Sequence, residues 1–317
     1  MTRPGFERTI TCPVMDRPEL FDRMLASLVR NDLDGWHLFV TAEPGAYQDE
    51  FAPICARHLP EGSYTVTVNP RRLGLRANLY QVMHRAFAQG SVVNLYLEED
   101  FLVAPDVTAL AEWFLTNRRD HWLCLNLLAG ACGNPGYLSH TDLPELLIET
   151  DCFNSYGLVM TPEGWARIKD AWRGPDPRVT RAYDFKAAFL KGRRHLAVEG
   201  WDWAVWSEVL HEEALKVVQP VAARCTHTGT EGHHCNPDYQ DRAYGHITLA
   251  DARPGGYRVV SVRNLPDRAR AHAEALAYAA HLTQAMDDPR YPRKPAPLRW
   301  ICAGLTRRYG HPLEERD

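Results

Sequence analysis

Leu95-Tyr96-Leu97-Glu98-Glu99-Asp100-Phe101-Leu102-Val103-Ala104-Pro105-Asp106 is the stretch on which the fold turns. It ends an apolar run, residues 92–97 with Asn94 the one polar member, of the kind that fills a central strand buried on both faces. Three carboxylates follow at once, and Pro105-Asp106 then starts a helix. Adjacent carboxylates repel one another and cost stability without a counter-charge. A divalent cation is the natural one, because Mg2+ and Mn2+ prefer carboxylate and phosphate oxygen. Standing alone, an acidic triplet reads as a solvated turn.

Its surroundings change that reading. Upstream, residues 9–15 form a short apolar strand. Pro18 then opens a helix with Leu20, Phe21, Met24, Leu25 and Leu28 at helical spacing. Residues 36–41 make a second strand, closed by Glu43-Pro44-Gly45, and a helix runs through Phe51, Ile54 and Cys55. Residues 64–68 alternate like a third strand. A helix over 73–88 stops at Gly90. Downstream of the triplet, residues 123–128 are a further strand. This βαβαβαβ order predicts an α/β fold with a mostly parallel, doubly wound sheet. Ligands of such sheets bind beyond the carboxyl ends of the strands. That rule singles out Asp16-Arg17, Glu43, residues 69–72 and Glu98-Glu99-Asp100, and it favours a binding role for the triplet.

The second half is less regular. Residues 153–160 predict a strand, 162–171 a helix and 174–181 a loop rich in Pro and charge. A helix is expected over 203–214, with Asp202 at or near its N-cap, and a strand over 216–221. Residues 225–244, rich in Gly, His, Asn and Asp, read as a mobile loop. A helix over 269–286 and an extended Pro-rich tail over 288–297 complete the chain.

With 317 residues, 45% apolar and 24% charged, the chain has the composition of an ordinary globular protein of one large or two modest domains. A net charge of −4 argues against nucleic acid as the main partner. The pairs Arg71-Arg72, Arg193-Arg194 and Arg307-Arg308 are too short to overturn that. No apolar run approaches the roughly 18 residues of a membrane span, and none follows the first five residues. A cytoplasmic location is therefore expected, with the 8 cysteines mostly reduced. Gly-Lys-Ser/Thr and Gly-x-Ser-x-Gly are absent, and no Gly-rich turn follows the first strand. P-loop, α/β-hydrolase and dinucleotide-binding readings are accordingly disfavoured.

Glu98-Glu99-Asp100 followed by Val103-Ala104-Pro105-Asp106 resembles the acidic motif of GT-A glycosyltransferases. It is similar in particular to that of the alpha-mannoside beta-1,2-N-acetylglucosaminyltransferase I family, where Glu-Asp-Asp precedes a hydrophobic-x-Ala-Pro-Asp helix start. The resemblance implies a GT-A fold with Asp100 as metal ligand and Glu98 and Glu99 facing the donor's sugar and ribose. Glu99 stands where the family has Asp. Met15-Asp16-Arg17 is similar to a Cys-Asp-Arg whose arginine binds the diphosphate, which implies that role for Arg17; a helix-start charge pair is the even alternative. Thr41-Ala42-Glu43 places Glu43 where the family has an acidic acceptor for the uracil. Arg76 and Asn78, in Leu73-Gly74-Leu75-Arg76-Ala77-Asn78, would lie near the nucleotide or cap the core edge.

Trp201-Asp202-Trp203-Ala204-Val205-Trp206 resembles the family's Trp-Asp-Asp-Trp, which implies Asp202 as catalytic base. A carboxylate among indoles is partly desolvated, which raises its pKa and suits proton acceptance near neutrality. An N-cap is the plainer reading, and Glu208 is a fallback base. The strand 218–224 and the Gly- and His-bearing segment after it resemble a lid closing over the donor, with His227, His233 and His234 as candidates to complete the metal shell. Cys225, His227, His233, His234 and Cys235 also have the residue types of a structural zinc site, at spacings that match no finger.

The resemblance spans residues 7–245. It implies a nucleotide-sugar-binding half (1–130) and an acceptor-side half with its lid (131–247); residues 248–317, which match nothing in the family, read as a C-terminal helical extension with a Pro-rich tail. The implied activity is Mn2+- or Mg2+-dependent, inverting transfer from a nucleotide sugar, UDP-linked by preference, to an acceptor hydroxyl on a glycan or small molecule. Two alternatives stand beside it: a nucleotidyl- or phosphotransferase using the same metal-diphosphate site, and a non-catalytic carbohydrate-binding protein.

Overall fold

A computed structural model describes residues 5–130, 137–150, 152–173, 202, 205, 215–231, 235–251 and 253–274. The first part follows the expected alternation closely. Strand β1 (Arg8–Val14) leads to α1 (Pro18–Leu28), β2 (Trp36–Ala42), α2 (Phe51–His58), β3 (Tyr64–Val68), α3 (Leu75–Ala88) and β4 (Val93–Tyr96). After the acidic triplet come β5 (Phe101–Val103), α4 (Val107–Asn117) and β6 (Trp122–Asn126). Then follow β7 (Leu146–Thr150), β8 (Leu158–Met160), α5 (Pro162–Arg173), β9 (Lys216–Pro220), β10 (Cys225–His227), α6 (Pro237–Tyr244) and β11 (Arg258–Val260).

Nine strands form one sheet in the order β3-β2-β1-β4-β8-β6-β9-β7-β11. Neighbours from β3 through β4 pair in parallel, with Arg8 of β1 opposite both Trp36 and Val93. Strand β8 runs antiparallel between β4 and β6, and β7 antiparallel to β9. The chain is thus α/β with a large, mostly parallel central sheet flanked by helices.

Both faces are covered, and alternation along the strands decides what each face meets. Val93, Leu95 and Leu97 share one core with Phe21, Met24 and Leu25 of α1, Phe51 of α2 and Leu110 and Phe114 of α4. Tyr96 and Phe39 share the opposite core with Leu79, Val82 and Met83 of α3 and Ile168 of α5. Burial of each Leu or Phe of this kind contributes about 1.5–3 kcal/mol. The helices form where their apolar spacing allows. Pro18 sits in the first turn of α1, and Gly90, at φ 95°, ends α3 in a conformation L side chains resist.

Three segments differ from expectation. Only Leu158–Met160 of the strand predicted over 153–160 is extended, because Asn154 turns its amide to Leu128 O and Gly130 O. Within the predicted 225–244 loop, β10 pairs antiparallel with β5, and α6 follows, its Asn236 side chain accepting from Tyr239 N. Beyond residue 247, β11 pairs in parallel with β7 and so joins the main sheet at its edge. The expected 203–214 helix is described only at Asp202 and Val205, both helical, and the 174–181 loop and 288–297 tail lie outside the described residues. Among the described residues no helix is long and apolar enough to cross a membrane, and the cysteines are free.

Candidate active site

The carboxyl ends of β1 and β4 are adjacent, so the turn after β1 and the triplet after β4 meet. Arg17 reaches across from that turn. Its Nε lies 2.7 Å from Glu99 Oε1 and its Nη1 2.6 Å from Asp100 Oδ2. From the other side, β10 runs beside β5 and brings His227 Nε2 to 3.1 Å from the same Asp100 oxygen. Thr228 fastens the start of the following loop, its N–H and hydroxyl both donating to Asp100 O at 2.8 and 2.9 Å.

The counter-charge that the triplet requires is therefore partly resident. Arg17 and His227 supply it, where the sequence pointed to a metal ion alone. Burial works to raise the Asp100 pKa, but His227 and Arg17 outweigh it and hold the carboxyl below its ordinary value. Burial also tends to lower the His227 pKa, yet Asp100 overrides it and pushes the imidazole up to about 10. Glu98 is pushed up to about 7 by burial and by the charge of Asp100. Burial raises Glu99 to about 7 against the pull of Arg17.

The three carboxylates have separate surroundings. Glu98 is part-exposed and accepts from the Tyr96 hydroxyl at 2.7 Å. Glu99, 3% exposed, accepts from Met15 N and Arg17. Asp100 is buried, and its Oδ1 has no hydrogen-bond partner among the described residues.

Asp100 and His227 fit a divalent cation that would take the place of the Nε2 proton which His227 now turns to Asp100. The unpartnered Oδ1 is a buried anionic oxygen of the kind such ions bind. His227 Nδ1 lies 2.9 Å from Gln240 Oε1, and an amide oxygen only accepts, so the hydrogen sits on Nδ1. That hydrogen bond orients Nε2 toward Asp100, the outer-sphere arrangement usual for a ligating histidine. No three His, Cys, Asp or Glu side chains converge to hold a metal among the described residues. Two protein ligands completed by diphosphate oxygens and water suit Mg2+ or Mn2+. A Cβ on Gly229 would stand 2.8 Å from Asp100 Oδ2, 3.0 Å from Arg17 Nη1 and 3.0 Å from His227 Cε1. The backbone thus crosses directly over this cluster, and only glycine has room there.

The remaining sequence candidates are distributed around this centre. Glu43, 2% exposed at the end of β2, accepts the Leu73 N–H with both oxygens at 2.9 and 3.1 Å. Asn78 is buried as well, donating to Thr41 O at 3.2 Å and accepting from Asn69 at 2.9 Å. As placed here, both shape the wall formed by residues 69–73. Arg76 is partly exposed; burial lowers its pKa, and the charge of Asp202 opposes that. Asp202 is partly buried in helical backbone, and its charge adds to the burial that holds the Tyr156 hydroxyl well above the ordinary range. His233 and His234 lie outside the described residues. Cys225 is buried and donates to Tyr156 O at 3.1 Å.

Sequence reasoning missed an aromatic wall beside His227. The His227 ring centroid is 5.1 Å from that of Tyr244 and 6.3 Å from that of Tyr156. Tyr137 stacks on Tyr244 at 5.6 Å, and the Tyr156 and Tyr244 hydroxyls bond to each other. These residues come from four separate segments, so no local pattern announces them. Gln240 was missed too, although Asn236-Pro237 is a legible helix start.

No family model and no curated protein sequence matches the chain. Among solved structures it is similar to S. aureus TarS 1-349 in complex with UDP, at 10% identity and TM-score 0.42, covering 96% of this chain and 72% of that one. It is also similar to the mannosyltransferase PcManGT from Pyrobaculum calidifontis in complex with GDP-Man and Mn2+, at 12% identity and TM-score 0.39, covering 96% and 77%. The glycosyltransferase GlyE of Streptococcus pneumoniae TIGR4 is similar at 17% identity and TM-score 0.37, covering 67% and 45%. At such distance, function has to be read from the residues of this chain.

Proposed function

We propose that this protein is a metal-dependent glycosyltransferase that moves a sugar from a nucleotide-sugar donor, UDP-linked by preference, to an acceptor hydroxyl with inversion. The observation that carries the reading is the Arg17–Asp100–His227 cluster at the carboxyl ends of β1 and β4. It combines a buried unpartnered carboxylate oxygen, an oriented imidazole and a guanidinium suited to phosphate. Among ligand classes, a metal-bound diphosphate uses all three.

In this reading Asp100 and His227 hold Mn2+ or Mg2+, which when bound supplies positive charge at the departing diphosphate. The part-exposed Glu98 faces the donor sugar. Glu43 and Asn78 set the wall against which the base lies. Asp202 accepts the proton of the acceptor hydroxyl as its oxygen forms the new bond to the anomeric carbon. The bond from that carbon to the diphosphate oxygen breaks, and its electron pair leaves with the nucleoside diphosphate. Gly229 keeps the loop close over the cluster, which limits water and hence donor hydrolysis.

Thermal unfolding with UDP or GDP, each with and without Mn2+, tests the donor site. Ligand that binds only the folded state raises Tm. The expected result is a Mn2+-dependent rise with UDP. No rise with either nucleotide at saturating Mn2+ sinks the reading. Product analysis then separates sugar transfer from phosphoryl or nucleotidyl transfer, because only the first releases a nucleoside diphosphate together with a glycoside.

A further inference from the structure

Arg17 occupies the carboxylate that a dication would need. Its Nη1 stands 2.6 Å from Asp100 Oδ2, while its Nε holds Glu99 at 2.7 Å. A dication brought to Asp100 meets the guanidinium charge at close range, whichever carboxylate oxygen it takes. In a buried site that repulsion is only weakly screened. The Arg17 backbone is fixed, since its carbonyl accepts the Leu20 and Phe21 N–H groups at 3.2 and 3.1 Å. Its side chain is 29% exposed, against 2% for Asp100 and 4% for Glu99, so the guanidinium is the member of the cluster with room to move. A diphosphate offers that guanidinium the two-oxygen partner its fork prefers.

We infer that Arg17 is a coupling residue that exchanges Asp100 for the diphosphate when nucleotide arrives, so that dication and nucleoside diphosphate bind tightly only as a pair. The inference rests on the donor-site reading above and adds to it a mutual dependence of the two ligands. Each must then tighten the other by the same factor, because coupling of binding is reciprocal. A factor on the order of 5–150 is typical of such coupling.

The sign of the effect distinguishes this from a structural salt bridge. If Arg17 only held the site together, removing it would weaken Mn2+. If Arg17 competes for Asp100, its removal strengthens the binding of Mn2+ alone. The test is electron paramagnetic resonance titration of Mn2+ into the full chain, with and without saturating UDP or GDP, and calorimetric titration of the nucleotide with and without Mn2+. For the unaltered protein the expected result is weak Mn2+ binding, tightened roughly 5- to 150-fold by nucleotide, with the same factor seen in reverse. In Arg17→Gln, Mn2+ alone binds more tightly than in the unaltered protein, nucleotide binds less tightly, and the mutual factor falls toward one. Arg17→Lys keeps the charge but loses the fork, and gives an intermediate factor.

Nucleotide and Mn2+ that both bind with no effect on each other overturn the inference and leave the donor site standing. Weaker binding of Mn2+ alone to Arg17→Gln also overturns it. Absence of UDP and GDP binding at saturating Mn2+ removes the donor site itself, and the coupling with it. If Arg17→Gln does not fold, Arg17→Lys decides the matter: a smaller mutual factor with tighter binding of Mn2+ alone supports the exchange, and an unchanged factor overturns it.

Discussion

Two aspartates six positions apart flank β5, and each is paired with an arginine. Asp106, at the start of α4, meets Arg224 Nε at 2.9 Å, and both side chains are 0% exposed. Arg224 spends its other donors on Ala222 O at 2.7 Å and Pro144 O at 2.5 Å, and Tyr257 donates to Asp106 Oδ2 at 2.9 Å. Asp100, at the other end of β5, is also buried, but its partners differ. One of its oxygens carries both Arg17 and His227 while the other has no hydrogen-bond partner among the described residues, and Arg17 remains partly open to solvent. Asp106 Oδ1 also has no hydrogen-bond partner among the described residues, but here the arginine is as fully buried as the aspartate, which has one cationic partner rather than two. The Asp100 pair is open, crowded with charge and adjustable. Neither burial nor an unpartnered oxygen tells a functional carboxylate from a structural one; the exposure and number of its cationic partners do.

The contrast predicts opposite phenotypes. Asp106→Asn leaves the Arg224 charge buried without its anion, and breaking such a pair costs about 3–5 kcal/mol. Urea unfolding should show that loss in midpoint, and Mn2+ and nucleotide binding should persist wherever the protein is still folded. Asp100→Asn should reverse the pattern. Arg17 keeps Glu99 and can turn to water, so the stability loss should be much the smaller of the two. Removal of a charge aimed at the reaction centre should lower donor turnover by roughly 10²–10³ and abolish the Mn2+-dependent thermal shift. If Asp100→Asn is the less stable of the two, the assignment of roles is wrong.

This division was only half legible in the sequence. The β1–β4 half could be read because Val93, Leu95 and Leu97 lie in one apolar run broken only by Asn94, and Phe21, Met24, Leu25 and Leu28 keep helical spacing. Those patterns fix the order of elements, and the order fixes which loops meet at the strand ends. The β5–β10 ribbon left no such mark. Each strand has three residues, too few for any period, and the partners Phe101 and His227 come from distant parts of the chain. Nothing local distinguishes Arg224 from a surface arginine, because its burial comes from Asp106, Pro144 and Tyr257 closing around it. The resemblance pointed to Arg17 and Asp100 as separate ligand contacts. That they hold each other is a fact of side-chain geometry, which residue types cannot state.

Gln240 offers the smallest and most selective probe of the open pair. It bears no charge and touches neither Asp100 nor Arg17 through any contact described above. Its oxygen accepts from His227 Nδ1 at 2.9 Å, and its amide nitrogen donates to His227 O. Gln240→Leu removes the acceptor and releases the imidazole to the other tautomer or to rotation. Loss of such an outer-sphere partner costs about 10- to 100-fold in metal affinity. Gln240→Glu keeps an acceptor at Nδ1 and should retain most of that affinity, although it loses the bond to His227 O. Mn2+ titration in the presence of UDP, with unfolding curves for both variants, checks the pair. Equal losses in Leu and Glu variants would mean that Gln240 supports only the backbone of β10. A loss confined to Leu would place the imidazole in the metal shell and complete the distinction between the two aspartates, because Asp106 has no histidine to orient.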